Sequence, residues 1–129
     1  MKIAVDTNVL VRIIALDDEQ KVKKAVTLIE KHGPREVFVC YGALSEAFYV
    51  LTKVYGLSKN EVLKSFGDLF KIEQFAFEHE IPLRLALCKC EKGASFHDAL
   101  LGEIAAARNL KTHTFDKNLK NNTNFEVIP

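Results

Sequence analysis

The sequence predicts an α/β protein: three layers, α/β/α, around a central, mostly parallel sheet, in a single domain spanning residues 1–129. Three observations predict it. Short β-rich apolar runs alternate with stretches of helical periodicity. The helical stretches run to about ten residues or more, the length that a crossover between parallel strands needs. A chain of 129 residues with 48% hydrophobic and 27% charged residues suits one folded domain and excludes a disordered chain.

Lys2-Ile3-Ala4-Val5 reads as a short buried strand, with a turn at Asp6-Thr7-Asn8 and a short apolar helix over Val9–Leu16. Asp17 is the expected N-cap of the next helix, with Gln20 as its capping-box partner. Val22, Ala25, Val26 and Ile29 recur there at helical spacing, and Gly33-Pro34 stops the run. Glu36–Cys40 reads as the second strand. Leu44, Ala47, Phe48, Leu51, Val54 and Tyr55 then form one apolar stripe, so a continuous amphipathic helix is expected up to Gly56. Ser58 and Glu61 form a capping box before Val62, Phe66, Leu69 and Phe70. Gln74–Phe77 is a short third strand. Pro82 suits the first turn of a helix that runs to about Lys92, before Gly93. Ser95 caps a further helix through Arg108, and Thr112–Phe115 and Phe125–Ile128 are the last strands.

No apolar run approaches the roughly 18–20 residues that span a bilayer. Asp6, Asn8 and Arg12 interrupt any signal-peptide core, so a cytoplasmic protein is expected. Cys40, Cys88 and Cys90 are an odd number and make no disulfide framework. Net charge is only +1, from 18 basic and 17 acidic residues. Setting four carboxylates aside as cation ligands leaves 18 basic against 13 acidic side chains, a net +5, so composition alone does not exclude a nucleic-acid partner.

Chemistry is expected beyond the carboxyl ends of the strands, where parallel α/β sheets bind their ligands. Asp6 and Asp116 each follow the last apolar residue of a strand. Period-two alternation puts Thr114 on the side of Asp116. Glu46 lies near the start of the helix after the second strand, and Asp98 in the first turn of the helix capped by Ser95. Clustered carboxylates repel unless a cation compensates them. With few histidines, they suit a hard cation such as Mg²⁺ or Mn²⁺. Each also has an ordinary reading: Asp6 as a turn residue, Glu46 as a solvated side chain, Asp98 as half of a capping box with Ser95, and Asp116 as a polar loop residue.

The segments "VDTNVLVR" (Val5–Arg12), "SEAFYVL" (Ser45–Leu51), "FHDALLGEIA" (Phe96–Ala105) and "THTFDKNL" (Thr112–Leu119) resemble, in order, those of PIN-domain ribonucleases. The resemblance is strongest to the toxin subunits of VapBC toxin–antitoxin pairs and covers the chain from Val5 to its end. It implies a parallel sheet between helices and an acidic pocket that binds one or two Mg²⁺ or Mn²⁺ ions and cleaves RNA. The family acids fall on Asp6, Glu46, Asp98 and Asp116, as metal ligands and catalytic residues. Asn8 and Thr114 match small polar positions that support the pocket, and Arg12 matches a basic position after the first motif. With Lys117 and Lys120, Arg12 is a candidate contact for RNA phosphates. A small antitoxin and a second copy of the chain are the implied protein partners. The chain departs from the family at Phe96 and His97, which are bulkier than usual before the acid.

Other constellations carry less. Ser95, His97 and Asp98 crowd one helix start, where neighbouring side chains point apart, so they make no hydrolase triad. Cys88 and Cys90 point away from each other on a helix, and no second cysteine pair exists for zinc. His32 and His79 are expected at the surface. Beside the toxin reading stand two alternatives: an RNA-processing nuclease without an antitoxin, and a binding module of the same fold with little catalysis.

Overall fold

The computed structural model describes residues 1–129 and contains five short strands and six α-helices. In chain order they are β1 (Ile3–Val5), α1 (Thr7–Ala15), α2 (Glu19–Glu30), β2 (Val37–Val39), α3 (Tyr41–Tyr49), α4 (Lys59–Leu69), β3 (Phe75–Phe77), α5 (Glu80–Glu91), α6 (Phe96–Ala106), β4 (Thr112–Thr114) and β5 (Phe125–Val127). A π-helical turn, Val50–Val54, continues α3, and a 3₁₀ turn, Lys117–Leu119, follows β4. Every strand pairing is parallel, as the alternation of strand and helix predicts. The chain forms two compact units, Met1–Glu78 and His79–Pro129.

The first unit holds a three-stranded sheet in the order β1-β2-β3. Val5, Val39 and Phe77 pair across it, so the next residues, Asp6, Cys40 and Glu78, share its carboxyl edge. The predicted turn at Asp6–Asn8 is instead a cap. Asp6 Oδ1 accepts from the Val9 N–H at 3.2 Å and α1 begins at once. The next cap also differs by one residue. Asp18, not Asp17, accepts from the Lys21 N–H at 3.1 Å and starts α2. Asp17 is taken instead by longer-range partners, Arg12 at 2.8 Å and the Tyr55 hydroxyl at 2.7 Å. The Ser58–Glu61 capping box forms as predicted, a device that contributes about 1 kcal/mol.

The apolar stripe predicted as one helix to Tyr55 is interrupted. Leu44, Ala47 and Leu51 are buried, but the π turn inserts its wider register after Tyr49. Val54 is thereby rotated out, to 72% exposure. The same turn brings the Tyr55 hydroxyl to Asp17. Such insertions are frequent at functional sites. Val37, Val39, Val62 and Phe66 fill the buried interior, with Phe48 edge-on to Phe66 at 6.3 Å.

In the second unit α5 packs on α6, and β4 pairs with β5. Pro82 falls in the first turn of α5, where its missing N–H costs no helical bond. Gly102 of α6 faces β5. A Cβ there would lie 2.7 Å from the Phe125 ring, so only glycine allows this approach. No helix is long and apolar enough to cross a membrane.

Candidate active site

Asp6 stands exposed at the carboxyl edge of the three-stranded sheet. Its carboxylate sits on the N-terminus of α1, where the unpaired N–H groups favour negative charge. The neighbouring Thr7 donates its hydroxyl to the Ala43 carbonyl at 3.5 Å, tying the start of α1 to the first turn of α3. Glu46 follows Ala43 by three residues, hence on the same face of α3, and is exposed. The first unit thus carries two of the four nominated acids.

A third acid of this edge was missed. Glu78 directly follows β3, and its Oε1 accepts from the Tyr41 N–H at 3.1 Å, serving as the cap that Cys40 does not supply to α3. The signal was present in the sequence: Glu78 follows Phe75-Ala76-Phe77 just as Asp6 follows its own strand.

In the second unit Asp98 and Asp116 line one open cleft of about 660 Å³. The capping box suspected at Ser95 is only half formed. Ser95 Oγ accepts from the Asp98 N–H at 3.2 Å, and the Asp98 carboxylate is left to the cleft. Asp116 caps the 3₁₀ turn, its Oδ1 accepting from the Asn118 N–H at 2.9 Å. Thr114 lies beside it as expected, but acts on its backbone: Thr114 Oγ1 accepts from the Asp116 N–H at 3.0 Å. Phe96, the bulky residue before the acid, is buried in the core at 2% exposure and does not line the cleft.

The basic residues are arranged differently from the sequence reading. Lys117 and Lys120 are exposed and do not line the cleft; Lys89 and Lys92, from the end of α5, do. Their spacing of three on one helix was the available signal. Arg12 is engaged with Asp17 and with the Tyr55 hydroxyl at 3.3 Å. It also borders a separate cleft, of about 390 Å³, together with Asn8, Lys21 and Lys24. Asn8 therefore faces this basic cleft and makes no hydrogen bond to the Asp6 carboxylate.

The Tyr55 hydroxyl first, and Arg12 second, hold the Asp17 carboxyl below the usual carboxylate range. The same hydrogen bond raises Tyr55. A carboxyl group depressed in the fold stabilises it above its unfolded value, near about 4, and loses that contribution as pH falls through the folded value. The melting-temperature difference between wild type and Asp17→Asn is therefore expected to be greatest near neutrality and to close below about pH 4. Melting curves across that range check this; a constant difference would exclude the coupling.

The four nominated donors are all carboxylate oxygens, exposed or half-exposed, a donor set that fits a hard divalent cation. Within neither unit do three Asp, Glu, His or Cys side chains gather closely enough to hold a metal ion among themselves. Cys88 is exposed and Cys90 buried, consistent with a helical pair that points apart.

A family model described as the PIN domain matches residues 3–124. No curated protein sequence matches the chain significantly. Among solved structures, a toxin–antitoxin complex from Klebsiella pneumoniae is similar at 15% identity and a TM-score of 0.36, covering 98% of this chain and 96% of that one. VapBC2 from Rickettsia felis, bound to a DNA fragment from its promoter, is similar at 18% identity and a TM-score of 0.40, covering 99% and 98%.

Proposed function

The chain belongs to the PIN domain family, a family of nucleases, and on that premise we propose that it is a metal-dependent endoribonuclease, the toxin of a toxin–antitoxin pair. The observation that supports the reading is that Asp6 and Asp116 follow strands, Asp98 lies in the first turn of α6 and Glu46 lies on α3, all four exposed or half-exposed. Mg²⁺ or Mn²⁺ is the cofactor, with Asp6, Glu46, Asp98 and Asp116 as its ligands. When bound, such an ion supplies an acidified water and neutralises charge on the phosphodiester.

The chain's own residues prepare this chemistry. Asp6 caps α1, and the Val9 N–H fixes the direction of its carboxylate. The Ser95 cap fixes the first turn of α6 and so the origin of the Asp98 side chain. Thr114 Oγ1 accepts from the Asp116 N–H and the Asn118 N–H donates to the Asp116 carboxylate, so backbone and side chain are both held. Arg12 and the basic side chains beside it offer contacts to RNA phosphates, which position a strand without reading its sequence.

The toxin assignment rests on the four ordered segments that resemble VapBC toxins. A protein partner is supported by apolar surface on α2, where Val26 and Leu28 are 39% exposed, and by Tyr49 and Val54 at 62% and 72%. We assign this surface to a small antitoxin or to a second copy of the chain. The cytoplasm is the compartment in which such a nuclease meets its RNA.

Incubation of the purified chain with RNA and Mn²⁺ is expected to yield cut RNA, and an excess of EDTA to stop the reaction. Cleavage that persists in EDTA would contradict the metal-dependent reading. RNA left intact in Mn²⁺ would contradict the nuclease itself.

A further inference from the structure

Glu103 takes no part in the chemistry proposed above, yet it is a carboxylate buried to 7% exposure. Its Oε1 accepts from Lys89 Nζ at 2.6 Å and from Asn124 Nδ2 at 2.9 Å. The close approach of Gly102 to Phe125 seats α6 against β5 and fixes where Glu103 stands. An ion pair with one partner buried and the other partly exposed is weak ground for stability, because desolvation and screening offset much of its attraction. The pair therefore calls for another account.

Its geometric consequence is plain. Lys89 lines the same cleft as Asp98 and Asp116, and its side chain is held there at 35% exposure. An ammonium group has three N–H donors, and Glu103 engages one face of it. The remaining donors are available to the cleft, which Asn118, Asn122 and Ser95 line with further polar groups. A fixed stem also lowers the ordering cost that an exposed lysine meets on binding.

We propose that Lys89 binds a backbone phosphate of the RNA in this cleft, and that Glu103 is the positioning residue that holds it there. Resting on the nuclease reading, this assigns a substrate contact to a side chain outside the four family acids. Lysine suits the task as a point-charge binder of phosphate. The cleft offers cations and amide donors beside the two acids, a setting for a phosphodiester.

The test measures binding of a fluorescein-labelled single-stranded RNA oligonucleotide by anisotropy, in EDTA so that nothing is cut, over a series of KCl concentrations. Lys89→Met combined with Glu103→Gln removes both charges and keeps an acceptor for Asn124, so the variant is expected to melt with wild type. Its plot of log affinity against log salt should lose about 0.7 in slope, the share of one single-strand phosphate contact. Lys89→Arg should keep the slope, and Lys89→Gln alone gives a second reading of the same loss. A merely structural pair would leave the slope untouched. Unchanged slope in both neutral variants would overturn the inference, and wild-type chain that binds no RNA would overturn it too. Cleavage by wild type in Mn²⁺ is scored separately: if it occurs while the slope is unchanged, the nuclease stands and the role of Lys89 falls.

Discussion

Asp6→Asn is expected to lower RNA cleavage in Mn²⁺ by more than about 100-fold, beyond the 10–100-fold typical of losing an outer partner of a metal ligand. The substitution separates chemistry from folding. Asp6 has a structural duty as the N-cap of α1, accepting from the Val9 N–H. Asparagine caps about as well as aspartate. Only the charge is removed, at a cost near the helix terminus of about 0.3–1 kcal/mol. The variant should therefore melt within a few degrees of wild type while losing activity. Cleavage assays on matched samples, with thermal melts alongside, check both halves. A variant that cuts RNA as fast as wild type would mean that Asp6 is a cap and nothing more.

Phe96→Ala is expected to have the largest effect on stability, about 3–5 kcal/mol, the usual cost of emptying a buried phenylalanine site. Phe96 opens α6 and is 2% exposed. Loss of its ring leaves a cavity under the first turn of the helix that presents Asp98. Denaturant titration should show a lower midpoint with an unchanged slope. Cleavage measured well below the new midpoint should not rise, because the ring does not narrow the cleft. A loss under about 1 kcal/mol, or faster cleavage, would show that Phe96 instead guards the cleft, as its bulk beside the acid had suggested.

The order and type of the elements were legible because each carried its own local signal. The alternation of strand and helix foretold the parallel pairings. The Ser58–Glu61 box and the Ser95 cap start the helices they were expected to start. What was not legible depends on contacts between distant residues. Asp17 and Asp18 are equivalent caps by composition; the choice between them is made by Arg12 and by Tyr55, 38 residues away in sequence. The π turn has no signature in the apolar stripe, since a periodic pattern does not record one inserted residue. Val54 was accordingly placed inside and lies outside.

The site divides in the same way. Asp6 and Asp116 were nominated from their position after strands, a purely local rule, and the same rule would have nominated Glu78. Asp98 was ambiguous between cap and ligand, and the half-formed box leaves its carboxylate accessible. Lys89 and Glu103 were invisible, because 14 residues separate them and nothing in either helix alone requires a buried ion pair. Lys117 and Lys120 were nominated by proximity along the chain to Asp116; their neighbours Asn118 and Asn121 line the cleft, and the lysines themselves do not.

The central claim is that the chain binds a divalent ion through the family acids. Titration of Mn²⁺ into the purified chain, followed by the loss of the free-ion signal in electron paramagnetic resonance, tests it most directly. Wild type should take up the ion, and Asp6→Asn and Asp98→Asn should each weaken uptake by at least about tenfold. Wild type that leaves the ion free, or either variant binding it as tightly as wild type, would contradict the account.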